Sequence, residues 1–217
     1  MAIFIMNGKT FLTTYIKEDP KKVLKTQFVI VSSTIRKLGK KCWDRQIINA
    51  NANLYPSQSL IMEYDDYKHD KNYEAEYYNQ LDNSRALLAT LIKYVVDENY
   101  TVVILCGKKE SKYNYLNLIK KYVLDEFGFP IYDYKKFKEG KERIVQVDNY
   151  EITHRCNKVL KKAAKRKKEK MLSTEKGRKQ YFSSMSKSEL KKELKKRDLY
   201  YPDMSKSEMI DMLETFV

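Results

Sequence analysis

Thr101-Val102-Val103-Ile104-Leu105-Cys106 is apolar almost without a break, and it decides the fold class of this 217-residue chain. A strand with one wet face alternates apolar and polar residues. One that is apolar at consecutive positions is buried on both faces, as the inner strands of parallel sheets are. Asn99-Tyr100 leads into the run and Gly107 ends it. Upstream, Tyr73–Glu98 reads as a helix, because Tyr77, Leu81, Leu88, Leu91, Ile92 and Val95 recur at three- and four-residue steps. Downstream, Leu116–Phe127 repeats that pattern with Leu116, Ile119, Val123 and Phe127, Gly128 closes it, and Phe129–Tyr132 reads as a further strand. Towards the N-terminus, Gln27–Ser33 is a strand running into small hydroxyl residues. Ala2–Met6 is a short apolar run whose Asn7-Gly8 pair predicts a hairpin or a strand end. Strand, helix, strand, helix, strand is the grammar of an α/β domain with a mainly parallel sheet and flanking crossover helices.

Composition removes several classes. The chain carries 43 Lys+Arg against 29 Asp+Glu, a formal charge of +14, which favours polyanionic partners. It is 42% hydrophobic with only 6 Gly and 4 Pro, so it is neither disordered nor fibrous. No apolar run approaches the roughly 18 residues of a membrane span, so no membrane partner is expected. The start, MAIFIMNGKTF, is too short and wrongly flanked for a signal peptide. Cys42, Cys106 and Cys156 are isolated and odd in number, which predicts a reducing, cytoplasmic setting and no disulfide framework. His69 and His154 stand at no metal spacing to a cysteine, so neither a metal nor another cofactor is expected. The 18 tyrosines and the many lysines and asparagines suggest an AT-rich genome, of a phage or virus of a bacterial host.

The charge is uneven. Residues 151–217 hold 19 Lys+Arg and 10 Asp+Glu, and residues 155–181 alone hold 12 Lys+Arg against Glu169 and Glu175. This divides the chain into an α/β domain at 1–150, a basic helical connector at 151–182 and a small module at 183–217. In the connector Lys158, Lys161, Lys162 and Lys165 recur at helical steps, and Arg166-Lys167-Lys168 spreads charge around the cylinder. Only Val159, Leu160, Ala163 and Ala164 offer anything apolar to bury. Such a helix is either a solvated spacer or a phosphate-binding element. Each phosphate contact releases counterions, so a few suffice for strong, salt-sensitive, sequence-indifferent binding.

The module carries an internal repeat: Met185-Ser186-Lys187-Ser188-Glu189-Leu190 recurs as Met204-Ser205-Lys206-Ser207-Glu208-Met209. Each copy is a capping box, predicting helix starts near 187 and 206. Leu190 and Leu194 share a face of the first helix, Ile210 and Leu213 of the second. Between them Asp198–Asp203 is an extended linker, since Pro202 cannot continue a helix. Leu190, Leu194, Leu199, Lys206, Glu208 and Leu213 fall on the pattern of the SAP and helix-extended-loop-helix modules, which this segment resembles. That resemblance implies binding to DNA or RNA; LEM-type modules, with a similar helix pair, bind proteins instead. The usual loop glycine is replaced by Tyr200-Tyr201-Pro202-Asp203. On a duplex, the hydroxyls of Ser186 and Ser205 and the first-turn amides would meet phosphates. Lys187, Lys191, Lys192, Lys195 and Lys206 would add charge. No base-reading set is present, so weak sequence discrimination is expected, with DNA favoured over RNA.

In parallel sheets ligands sit beyond the carboxyl ends of the strands. Two loops lie there, Ser32-Ser33-Thr34 with Arg36, and Cys106-Gly107-Lys108-Lys109, so Ser32, Ser33, Arg36, Cys106 and Lys109 form a candidate anion pocket or else ordinary polar loop ends. No phosphate-cradling glycine motif accompanies them. The strand into Ser32-Ser33, then Leu54-Tyr55-Pro56-Ser57, Tyr64-Asp65-Asp66-Tyr67-Lys68, Tyr73…Tyr77 and Ile104-Leu105-Cys106 before a helix occur in an order that resembles the domain-of-unknown-function family numbered 488, over roughly residues 1–135. The resemblance implies a compact α/β domain. The family's Cys-His-Arg falls on Asn114, Tyr115 and Leu116, and Ser33 stands where its early arginine would be, so the implied site has lost its acid–base and anion-holding groups. Cys106 ends a buried strand and reads as a core residue rather than a nucleophile. Glu63, Asp65, Asp66, Asp70, Glu74 and Glu76 lack the strand-borne placement of a metal-dependent nuclease. No catalytic residue is therefore assigned. The expectation is a non-enzymatic, largely sequence-independent nucleic-acid-binding protein. The alternatives are a nucleic-acid- or nucleotide-processing enzyme with its site in the α/β domain, and a protein-interaction factor that targets a host complex.

Overall fold

The structure, a computed structural model, describes residues 2–7, 26–30, 47–49, 54–63, 71–106 and 115–216. Five strands, β1 (Ile3–Asn7), β2 (Thr26–Ile30), β3 (Ile47–Asn49), β4 (Thr101–Cys106) and β5 (Ile131–Asp133), form one sheet in the order β3-β2-β4-β1-β5. Every pairing is parallel. The chain is an α/β protein, and the apolar run that announced it lies at the centre of the sheet, with Val102, Val103 and Ile104 at 0% exposure. Ile3 pairs with both Val102 and Ile131, so β1 has parallel neighbours on both sides. No edge of β1 is left for an antiparallel partner, so of the two readings of Asn7-Gly8 the hairpin falls and the strand end at Asn7 stands.

The long helix expected over Tyr73–Glu98 is two helices. Before them comes a short α1 (Gln58–Glu63); then α2 (Lys71–Asn83) and α3 (Arg85–Val96) meet at the buried Ser84. The Ser84 amide donates to the Leu81 carbonyl at 2.9 Å, while its own carbonyl accepts from Leu88 at 3.1 Å, so one ladder closes and the next opens there. Asp82, Asn83 and Ser84 all compete with the backbone for hydrogen bonds and favour such a break. The apolar phase survives it: Tyr73, Tyr77 and Leu81 are buried on α2, and Leu88, Leu91, Ile92 and Val95 on α3.

Helix α4 (Tyr115–Phe127) packs beside them and ends at Gly128, whose φ of +69° is a left-handed cap that glycine adopts without strain. Arg85 at the start of α3 pairs with Glu126 of α4, and Tyr122 donates to Asp82 at 2.5 Å. After β5, Asp133 caps the short α5 (Tyr134–Lys138) by accepting from the Lys136 amide. Glu142 then folds back: one carboxylate oxygen accepts the Asp133 amide at 2.6 Å, the other the Lys120 ammonium at 3.1 Å.

Helix α6 (Asn149–Leu172) serves two masters. Ile152 and Cys156 are buried in the sheet domain's core, with Val159 and Leu160 packed against it, an i, i+4, i+7, i+8 stripe. Thr153 Oγ1 donates to Asp97 beside it. Contacts divide the chain into compact units at Met1–Leu160 and Lys161–Val217, so the first half of α6 belongs to the α/β unit. The basic helix read over 155–181 is also interrupted: α6 stops at Leu172 and α7 (Glu175–Ser183) begins after the cap Thr174, which accepts the Gly177 amide. A Cβ at Gly177 would stand 2.1 Å from the Met171 carbonyl oxygen, so only glycine permits this close turn.

The second unit has its own core. Phe182 of α7, Leu190 and Leu194 of α8 (Lys187–Lys195), Met204 of the linker, and Met209 and Leu213 of α9 (Lys206–Thr215) bury together. Both capping boxes are complete, on Ser186 with Glu189 and on Ser205 with Glu208. Helix α8 ends with Asp198 at φ +58°, and the Leu199 amide returns to the Leu194 carbonyl at 3.0 Å while Leu199 packs on the core. That is a Schellman-type stop in which aspartate stands where glycine is usual. Among the described residues no helix is long and apolar enough to cross a membrane.

Candidate nucleic-acid interface

On α6, Lys158, Lys161, Lys162 and Lys165 are all exposed, on the side of the helix away from Ile152, Cys156 and Val159. Arg166, Lys167 and Lys168 follow, also exposed. Among the described residues, Lys165 alone of these seven has an ion pair, to Glu169 at 3.9 Å with both side chains largely solvated. The other six have no ion pair among the described residues.

Helix α8 adds a second basic strip. Lys187, Lys191 and Lys195 lie at four-residue steps beside the buried Leu190 and Leu194, and Lys192 is exposed with them. None of the four has an ion pair among the described residues, whereas Lys196 and Arg197 are taken up by Glu193 at 3.6 and 3.3 Å. The Glu193 carboxyl reveals a neighbour. Burial acts to raise it, but the Arg197 bond and the charges of Lys168, Lys196 and Arg197 hold it below the usual carboxylate range. Lys168, near the end of α6, therefore stands close enough to α8 to share a field with it.

Tyrosines support these lysines. The Lys168 ammonium lies 5.3 Å from the Tyr181 ring centre, and those of Lys191 and Lys195 lie 4.8 and 5.5 Å from that of Tyr200. Tyr181 and Tyr200 both pack on the second unit's core, so the rings fix the cations at its surface. Sequence reading missed this role. Its trace is the placement of Tyr181 and Tyr200 beside Lys-rich helices, but contact between residues five to thirteen positions apart needs the fold.

The serines are differently employed. Ser186 Oγ accepts the Glu189 amide and donates to the Glu189 carboxylate at 2.7 Å, and Ser205 Oγ accepts the Glu208 amide at 3.2 Å. Bonds from the serine hydroxyl and amide hold both Glu189 and Glu208 below the usual carboxylate range. Each helix start thus already hosts an internal anion. Lys206 donates to the Ser183 carbonyl oxygen at 3.3 Å, and the other charged residues of its helix are acidic; Glu208 and Asp211, with Asp203 of the linker, border an open groove of about 470 Å³ with Met204 and Met212. Carboxylates thus gather on and beside α9, where the charge of Lys187 from α8 also acts on Glu208.

Of the candidate pocket, Ser32, Ser33, Arg36 and Lys109 lie outside the described residues; Cys106 ends β4 in register with Asn7. What is described near the start of α4 is a packed aromatic cluster. Tyr115 is fully buried, with its ring edge-on to Tyr55 at 5.5 Å and to Tyr77 at 6.3 Å. Tyr77 donates to the Leu54 carbonyl at 2.5 Å, and Gln80 holds the same segment by the Tyr55 carbonyl and the Ser57 amide. The segments around Leu54, Tyr77 and Tyr115 thus converge in space, through core packing. The one cysteine with a described side chain, Cys156, is buried on α6, and burial pushes its thiol up to about 11. Among the described residues no group of His, Cys, Asp and Glu is placed to hold a metal ion.

Comparison of the chain with protein-family models, with curated proteins and with solved structures gives no match.

Proposed function

We propose that the protein is a non-enzymatic nucleic-acid-binding protein that holds phosphates on α6 and α8 with little regard to sequence. The observation that carries this reading is the pair of exposed, largely unpaired lysine strips, Lys158 to Lys168 on α6, solvated nearly all round beyond Leu160, and Lys187 to Lys195 on α8, whose other face is committed to a core. A solvated spacer helix has its charges interleaved in sign and paired along the surface. Here like charges accumulate, which costs self-repulsion in the free protein and is relieved by a polyanion. The likeness of 185–215 to SAP and helix-extended-loop-helix modules supports the same reading, as does the replacement of the acid–base residues implied by the family numbered 488. The boxes on Ser186 and Ser205 give the serines a structural part, leaving phosphate contact to the lysines. The setting we propose is the cytoplasm of a bacterial host, with the protein encoded by a phage.

A salt series tests the proposal. With six or more phosphate contacts, affinity for a labelled 20-mer should fall about a thousandfold or more between about 50 and 200 mM salt. Removing Lys161, Lys162 and Lys165 together should lower the slope of log K against log salt by up to about three. A flat salt response, or no binding at about 50 mM salt, overturns the reading.

A further inference from the structure

The linker between α8 and α9 places two tyrosines in succession under very different constraints. Tyr200 is half-buried against the second core, with two ammonium groups, Lys191 and Lys195, over one ring. Neither lysine has a carboxylate partner among the described residues. The ring therefore gathers two positive charges, one helical turn apart, into a single spot. Two like charges held together repel, and an anion between them removes the repulsion. The next residue, Tyr201, is 61% exposed. Its amide is tied to Met204 Sδ at 3.4 Å and Pro202 follows, so an exposed ring stands on a restrained backbone.

We propose that Lys191, Lys195, Tyr200 and Tyr201 form a site for one phosphate–base unit of a single-stranded nucleic acid, the phosphate on the two lysines and the base stacked on Tyr201. This rests on the nucleic-acid reading above and narrows it to strand state. The chemistry decides between strand states as follows. A positively charged track beside an exposed aromatic is the combination that unpaired strands use, since every base has a π-face and stacking tolerates any sequence. Bases in a duplex already stack on one another and offer Tyr201 no face. The Lys168–Tyr181 pair makes the contrast, because Tyr181 is followed by the buried Phe182 and offers charge without a stacking surface.

The experiment uses the full chain and three labelled probes of equal length: oligo(dT), oligo(rU) and a blunt duplex. Single strands should bind more tightly than the duplex, and tight binding of either the deoxy or the ribo strand supports the site. Tyr201→Ala should lose about 5- to 150-fold in single-strand affinity, from about 1–3 kcal/mol per stacked base, and Tyr201→Phe should restore it. In Tyr201→Trp, oligo(dT) should quench the added indole emission, measured against wild type with its single Trp43. The melting temperature of each variant guards against a folding artefact. Equal or tighter binding of the duplex, or an unchanged single-strand affinity in Tyr201→Ala, overturns this inference while leaving phosphate binding in place. Absence of salt-dependent binding to all three probes overturns both.

Discussion

Glu142 accepts the backbone N–H of Asp133 at 2.6 Å, with its other oxygen on Lys120 at 3.1 Å. One side chain thus ties the segment after α5 to the end of β5 and to α4. Both ends of its ion pair are mostly covered, at 22% and 23% exposure. Glu142→Ala strands a covered amide and an ammonium, and should destabilise the α/β unit by about 1–3 kcal/mol in urea unfolding. Glu142→Gln keeps an acceptor for the Asp133 amide and should recover part of the loss.

Gly177 sits where a Cβ would be 2.1 Å from the Met171 carbonyl oxygen and 2.7 Å from Thr174 Oγ1. Both obstacles belong to the turn between α6 and α7, and one of them is backbone. Gly177→Ala should therefore open that turn and dislodge Phe182 from the second core, at about 1–3 kcal/mol. Hydrogen exchange should show lost protection across 175–215, with strands β1, β4 and β5 unchanged.

Asp198 holds φ at +58° at the end of α8, where a side chain costs energy that glycine does not. Asp198→Gly should raise the stability of the second unit by up to about 1 kcal/mol, by removing this strain. A lower midpoint in urea would show that the aspartate has a compensating role.

The two capping boxes give the second unit an acid limit. Glu189 and Glu208 are held below the usual carboxylate range by bonds from Ser186 and Ser205. A group whose folded pKa is depressed stabilises fully above its unfolded value, about 4.3, and loses that contribution as pH falls through the lower folded value. Protection of first-turn amides in α8 and α9 should accordingly fade as pH drops below about 4. In the Glu189→Gln/Glu208→Gln variant that pH dependence should flatten. Ser186→Ala and Ser205→Ala should each cost about 1 kcal/mol at neutral pH.

Cys156 is fully buried, and burial pushes its thiol up to about 11. Since the thiolate is the reactive form, native protein at pH 7.5 should leave Cys156 unlabelled by a maleimide for hours. Peptide mapping after denaturation should find it fully labelled. Rapid labelling in the native state would mean that the start of α6 opens from the core.

The sheet was readable because one strand, Thr101–Cys106, is buried on both faces and cannot be mistaken for an amphipathic element. The second helix pair was readable because Ser186–Glu189 and Ser205–Glu208 spell their caps within four residues. What escaped detection depends on length or on distance. Strand β3 has three residues, too few for a period to show. Ser84 breaks a helix without disturbing its apolar phase, so periodicity runs straight through it. The start of α6 looked like connector because its stripe of Ile152, Cys156, Val159 and Leu160 is dilute among charges, and the core it joins is assembled from residues distant in the chain. The lysine strips were visible as composition, but not the tyrosines beneath them. The pocket residues Ser32, Ser33, Arg36 and Lys109 fall outside the described part of the chain, and Cys106 enters only through its place at the end of β4.

The second unit carries ammonium groups along α8 and the end of α6, yet carboxylates at Asp203, Glu208 and Asp211 around α9. Such a body is an electrical dipole as well as a net cation. In the field of a phosphate chain its helices would feel opposite forces, attraction at α8 and repulsion along most of α9. If the proposed phosphate contacts form, the lysines of α8 and α6 would make them and the carboxylates beside α9 would oppose any closer approach there.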